Sequence, residues 1–285
     1  MPSRPDRTER LVVGDVELVV DLDDGARAIA WTVGDLSLLA HPGDDPVEHG
    51  MYPMAPWAGR LRGNAVEWAG RRHALPSTYG PWALHGTAMY QRAEILRAAS
   101  DDGSALVVAR VTDHPGWPWP MAIDVGWELR ARTLTATLAV HALAEPFPVV
   151  VGWHPWFRRR LDRGEPMRWS LEATGRLERG GDHLPTGRML APDPTQGPFD
   201  DAFLVPDGRA SAVWPGALAL DVGSDGEWYV VYDERPDCVC LEPQSGPPDG
   251  LRQRDASDDG SHAVRVAAPG RPHTLTTTWT MHPLR

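Results

Sequence analysis

Four short segments of the sequence each put a rare polar group in apolar or aromatic company. They are Arg60 in YPMAPWAGRLRGN, His85 in YGPWALHG, His154 in VVVGWHPWFRRRL and Glu242 in VCLEPQSGPPDG. Together these types suit acid–base work: a carboxylate takes a proton, an imidazole gives one, and a guanidinium steadies developing charge. His154 lies between Trp153 and Trp156, after the apolar run Val149, Val150, Val151 and before Arg158, Arg159 and Arg160. The stretch reads as the end of a strand opening into a polar, aromatic-walled site. A core histidine held by a backbone carbonyl is the plainer alternative.

Glu242 follows a strand pattern. Cys238, Cys240 and Glu242 share one face, Val239 and Leu241 the other, and Pro243 is expected to end the strand. A carboxylate so placed is costly unless paired or desolvated for a purpose. Desolvation raises its pKa toward that of a general base. Otherwise it is an edge carboxylate in solvent or in a salt bridge. The 13 tryptophans weigh on the side of a site. Most are expected in the core, but an indole also stacks on the C–H face of a sugar ring.

The elements that must position these groups repeat with period two. RTLTATLAV puts Leu134, Ala136, Leu138 and Val140 on one face and threonines on the other. SALVVARV, IDVGWEL, LALDVG, EWYVVY, DCVCLE, HAVRVA and HTLTTTWTM read as further short strands. Turn clusters such as SDDGS, RGGD, PDGR and GSDG separate them. Glycine and proline, 28 each, work against long helices. The fold class is all-β, a large, mostly antiparallel sandwich or barrel forming one domain over 1–285. Segment 176–202 is expected to be a loop or linker.

The net charge of -11 disfavours nucleic acid and anionic membranes as partners. No stretch approaches a transmembrane span, and MPSRPDRTER is followed by no signal-like apolar run. Cys238 and Cys240 are too close for good disulfide geometry, so reduced thiols and a cytoplasmic location are expected. There is no GxGxxG, Walker A, HExxH or paired CxxC motif, and no metal is expected.

In order and spacing, these segments resemble the aldose 1-epimerase (galactose mutarotase) family from about residue 50 to 250. The family's early arginine matches Arg60 of PMAPWAGRL, and its HG pair matches His85 and Gly86. The histidine before an aromatic segment matches His154 of HPWF. The substrate-binding aspartate falls on Asp200 of PFDDAF, with Asp201 the close alternative. The glutamate of an LEPQ-like segment matches Glu242. The chain departs from the family in having Gly59 before Arg60 instead of asparagine, and no Asn-Pro ahead of His154. Pro-Asp-Gly-Leu replaces the usual Asn-containing turn.

The resemblance implies a galactose mutarotase-like supersandwich that interconverts α and β anomers of a free aldose without metal or cofactor. Glu242 would be the base and His154 the acid. Arg60, His85 and Asp200 would bind the sugar, with Trp153 or Trp156 walling the ring. The expected partner is a small-molecule sugar, and the assembly a monomer or homodimer. A hexose-6-phosphate epimerase using Arg158 to Arg160 or Arg71 and Arg72 is the rival, and a non-catalytic sugar-binding protein a second.

Overall fold

The computed structural model describes residues 7–251 and 264–284. Among these, two large antiparallel sheets, eleven- and eight-stranded, form the body. The eight-stranded sheet holds Thr133–Ala142 at its centre, between Met121–Arg130 and His273–Pro283. Its pattern is the one the alternation demands. Leu134, Ala136, Leu138 and Val140 are wholly buried, while Thr133, Thr135 and Thr137 face outward.

The central strands of the eleven-stranded sheet run in the order Met51–Met54, Gly152–Arg158, Cys238–Gln244, Trp228–Tyr232 and Asp200–Leu204. Their odd-numbered side chains, Asp201 excepted, enter the core between the sheets. Trp153 meets Trp127 of the opposite sheet with ring centroids 4.5 Å apart, and Phe157 meets Trp214 at 5.9 Å. A single hydrophobic cluster extends from Leu11 to Met281 and includes both sheets. No described helix is long and apolar enough to cross a membrane. Cys238 and Cys240 are buried and unbridged.

Four expectations are corrected. Segment 176–202 holds the strands Gly175–Arg179 and Pro185–Leu190, and Asp200–Leu204 begins within it. Pro185–Leu190 lies at the end of the sheet with most of its residues in solvent, so its sequence lacks a clear apolar alternation. WHPWF lies inside a strand that starts at Gly152, and Val149 to Val151 precede it. Pro243 does not end its strand, which runs on to Gln244 with Pro243 opposite Tyr229. Of HAVRVA, only Val266–Ala267 forms a strand, and His262 and Ala263 lie outside the described residues.

Candidate active site

The even-numbered side chains of the same five strands face away from the core. They include Tyr52, His154, Trp156, Asp200, Tyr232, Glu242 and Gln244, which line one cleft enclosing about 900 Å³, mouth included. Antiparallel pairing explains the shared face. Tyr52 is opposite His154, Trp156 opposite Cys240, and Asp200 opposite Tyr232, so parity is kept from strand to strand.

His154 and Glu242 meet at the floor. Pairs between Gly152–Arg158 and Cys238–Gln244 hold at Gly152 with Gln244 and at Trp156 with Cys240, and the residues between are unpaired. The same register carried through that gap sets His154 across from Glu242. Pro155 and Pro243, which have no N–H to offer a ladder, lie within this gap beside His154 and Glu242. His154 Nε2 lies 3.2 Å from Glu242 Oε1. Gln244 Nε2 donates to the other carboxylate oxygen at 3.2 Å.

Burial sets the electrostatics of the pair. It pushes His154 down to about 3, helped by the charge of Arg27. It pushes Glu242 well above the usual carboxylate range. Asp200 adds to that rise, while the Gln244 hydrogen bond and Arg60 oppose it. With one proton between them the pair is neutral in either arrangement, Glu242 O–H donating to Nε2 or Nε2–H donating to the carboxylate. Stacked rings hold the imidazole. Tyr52 lies 4.7 Å away at 18°, and Trp156 lies 5.2 Å away at 28°. Both donate to the carbonyl of Val47, at 3.0 and 2.9 Å.

A loop delivers Arg60 and His85. Asn64 staples it by accepting from the N–H of Ala83 and donating to the carbonyl of Pro81, each at 2.8 Å. Arg60 then bridges to Leu84 and Ala55 to Gly86. A side chain at Gly86 would begin 2.0 Å from the carbonyl oxygen of Ala55, and its φ is +78°, so only glycine fits beside His85. The N–H of Gly59 donates to His85 Nδ1 at 3.2 Å, which leaves the ring proton of neutral His85 on Nε2. His85 is driven well below the ordinary histidine range by burial, then by His154 and Arg60. Gly59 itself has φ +74°, and a side chain there would start 2.8 Å from Pro248. Pro248 thus packs where a side chain at position 59 would begin.

Asp200 lines the cleft, 3.0 Å from Arg179 and 3.7 Å from Arg60. Asp201 points the other way, to Arg176 at 2.8 Å and Arg179 at 3.1 Å. Trp156 lines the cleft, but Trp153 does not. Its odd position turns it into the core, so it cannot wall a ligand. The arginine run lies outside as well. Arg158 pairs with Asp162, and Arg159 donates to the carbonyls of Asp233, Arg235 and Cys238. Arg71 and Arg72 lie in the strand Arg71–Ala74, which pairs only with Ala65–Trp68.

Sequence reasoning missed Tyr52, Gln244, Glu48, Tyr79, His183, Tyr232 and Arg235, all lining the cleft. Tyr52 and Gln244 could have been found by carrying strand parity outward from His154 and Glu242. The others come from loops or from strands whose neighbours no local pattern reveals. His154, Cys240 and Glu242 also bring a nitrogen, a sulfur and an oxygen within 4.8 Å of one another. Burial and the charge of Glu242 hold the Cys240 thiol well above its ordinary range, so deprotonating it as a ligand is costly.

The aldose 1-epimerase family model matches residues 22–248, and the chain belongs to that family. It is 25% identical over 281 residues to the uncharacterized protein YphB of Escherichia coli, covering 90% of this chain and 93% of that one. A galactose mutarotase-like protein from Clostridium acetobutylicum has a TM-score of 0.84 at 14% identity, covering 99% of this chain and all of its own. Galactose 1-epimerase from Lactobacillus acidophilus has a TM-score of 0.77 at 15% identity, covering 98% of this chain and 100% of its own. The likenesses to solved structures establish the galactose mutarotase-like β-sandwich.

Proposed function

We propose that the protein is a mutarotase for an unphosphorylated aldose, with Glu242 as base and His154 as acid. The observation that carries this is the buried His154–Glu242 pair at 3.2 Å on the floor of an open cleft. O1 and O5 of a cyclic sugar hang on one carbon, so an acid and a base serving both must be close neighbours. Glu242 takes the O1 proton as His154 protonates O5, and the C1–O5 bond breaks to give the aldehyde. Rotation about C1–C2 presents the other face, and reversal closes the ring and restores both protons. His85, as an Nε2–H donor, and Arg60 support the oxygens as charge develops. Asp200 accepts from hydroxyls, and Trp156 offers an apolar ring.

Charge balance favours a neutral sugar over a phosphosugar. Among the described residues, the two arginines that line the cleft both have carboxylate neighbours, Arg60 facing Asp200 and Arg235 bonded to Asp237 at 3.2 Å. The test is saturation-transfer NMR between α and β H1 signals of glucose, galactose and glucose 6-phosphate. Exchange above the spontaneous rate with a free aldose, lost in His154→Ala, is expected. Saturation by the phosphosugar at much lower concentration would overturn the neutral-sugar assignment. Tight sugar binding with no added exchange would overturn catalysis.

A further inference from the structure

Arg27 is the largest buried charge that the acid–base reading leaves unused. It lies in the strand Arg27–Val33 and has no solvent exposure. Its guanidinium donates to four backbone carbonyls, those of Asp24, Pro46, His49 and Met89. No carboxylate among the described residues forms a salt bridge with it. A buried cation whose hydrogen-bond acceptors are all neutral keeps part of its field, because Asp24 and Asp21 offset it only from outside its hydrogen-bonded shell.

That field points at the acid. The Arg27 guanidinium carbon lies 5.2 Å from the Tyr52 ring centroid, and the Tyr52 ring stacks on His154 at 4.7 Å. These spacings put the charge within about 10 Å of the imidazole, through a wall of protein and not water. Arg27 also grips the turn around Pro46–Glu48, whose Val47 carbonyl receives both Tyr52 and Trp156. One side chain therefore fixes the rings that clamp His154 and charges the space behind them.

We infer that Arg27 is a positioning residue that makes His154 a stronger acid by opposing the imidazolium from behind Tyr52. The inference rests on the acid–base reading of the His154–Glu242 pair. The other charged or titratable groups that bear on this region have separate places. Asp21, Asp24 and Tyr90 act on Arg27 from their own segments, and His49 lends it a carbonyl. His85, Glu242 and Cys240 surround His154 on the cleft side, with Arg60 beside His85.

The sign follows directly. A nearby cation disfavours every protonation step of the pair, so removing it raises the pKa of each step. Arg27→Met and Arg27→Gln should therefore move both limbs of the kcat/KM pH profile to higher pH. The shift is about one pH unit, from one charge at about 10 Å and an effective dielectric near 20. Arg27→Lys keeps the charge and should leave both limbs in place. Asp24→Asn removes an anion that partly offsets Arg27 and should move the limbs a smaller distance to lower pH. It leaves the guanidinium's hydrogen bonds intact, so it reports even where the neutral variants do not fold.

The companion measurement is 13C NMR of the His154 ring and the Glu242 carboxyl, titrated without substrate. It reads the pair whether or not the protein turns over a sugar. Titrations shifted as stated, with no exchange in any variant, would sustain the role of Arg27 and refute the mutarotase reading. Unshifted titrations in a folded neutral variant, or in Asp24→Asn, would overturn the role of Arg27. A purely structural clamp would lower activity and stability and leave the limbs where they are.

Discussion

Glu242→Gln should lose catalysis and gain stability at the same time. The amide matches the carboxylate in shape. It can accept from Gln244 through its oxygen and donate to His154 Nε2 through its nitrogen, replacing both contacts of the native side chain. What it cannot do is take a proton from O1. Loss of the base should slow anomer exchange by two orders of magnitude or more, about 3 kcal/mol in barrier. Stability should move the other way. Burial raises Glu242 above its unfolded value, so the folded state holds the carboxyl proton more tightly. Its contribution is fully present below the unfolded pKa and is lost as pH rises through the folded one. At pH 7 the native side chain is therefore a burden, and the glutamine variant should be more stable by about 1–2 kcal/mol. The difference should vanish below about pH 4. Urea unfolding at several pH values, beside saturation-transfer NMR, reads both quantities. Near wild-type exchange would refute the base assignment. Lower stability at pH 7 would refute the claim that the carboxylate is held against its preference.

Other expectations follow from the same geometry. His114 and His273 are each lowered to about 4 by burial, so their contribution is present above the unfolded pKa near 6.5 and lost as pH falls toward 4. Replacing both by glutamine should flatten the acid limb of stability measured by denaturant titration in that window. Gly86→Ala forces a methyl toward the Ala55 carbonyl at a positive φ, and should cost more than about 1 kcal/mol and displace His85. Its exchange rate should fall more than that of a core variant of equal stability. Trp153→Ala should cost about 3–5 kcal/mol with kcat retained below its melting range, whereas Trp156→Phe, which loses the bond to the Val47 carbonyl, should raise KM and cost about 1 kcal/mol. Asp200→Asn should raise KM more than Asp201→Asn does, since only Asp200 lines the cleft. Equal effects would point to the shared Arg179 partner instead.

The sheet and the centre of the site were legible because both depend on period two. Leu134 to Val140 announce a half-buried strand, and the WHPWF and VCLEP segments each carry a polar group at one parity among large apolar neighbours. What parity alone could not supply was the direction of that face. Trp153 and Trp156 look alike in sequence, but one residue of phase sends the first to Trp127 and leaves the second beside His154. Once His154 is assigned to the cleft, Trp153 follows to the core without further information. The loop residues Glu48, Tyr79, His183 and Arg235 had no such rule, because their positions depend on long-range closure of the chain.

Pro155 and Pro243 show how the sheet makes room for the His154–Glu242 pair. Prolines inside a run of strand residues read as strand ends, as Pro243 does in the sequence. In the structure they lie within the unpaired stretch of one strand pair, next to His154 and Glu242, which meet across it. A continuous ladder would tie the backbone at every step. The gap keeps the flanking pairs, at Gly152 with Gln244 and Trp156 with Cys240, so the strands stay in register. It lets two buried polar side chains satisfy each other across it. The feature that reads as a strand break in the sequence is thus the one that accommodates the His154–Glu242 pair, and the two readings differ only in whether the pairing resumes beyond it.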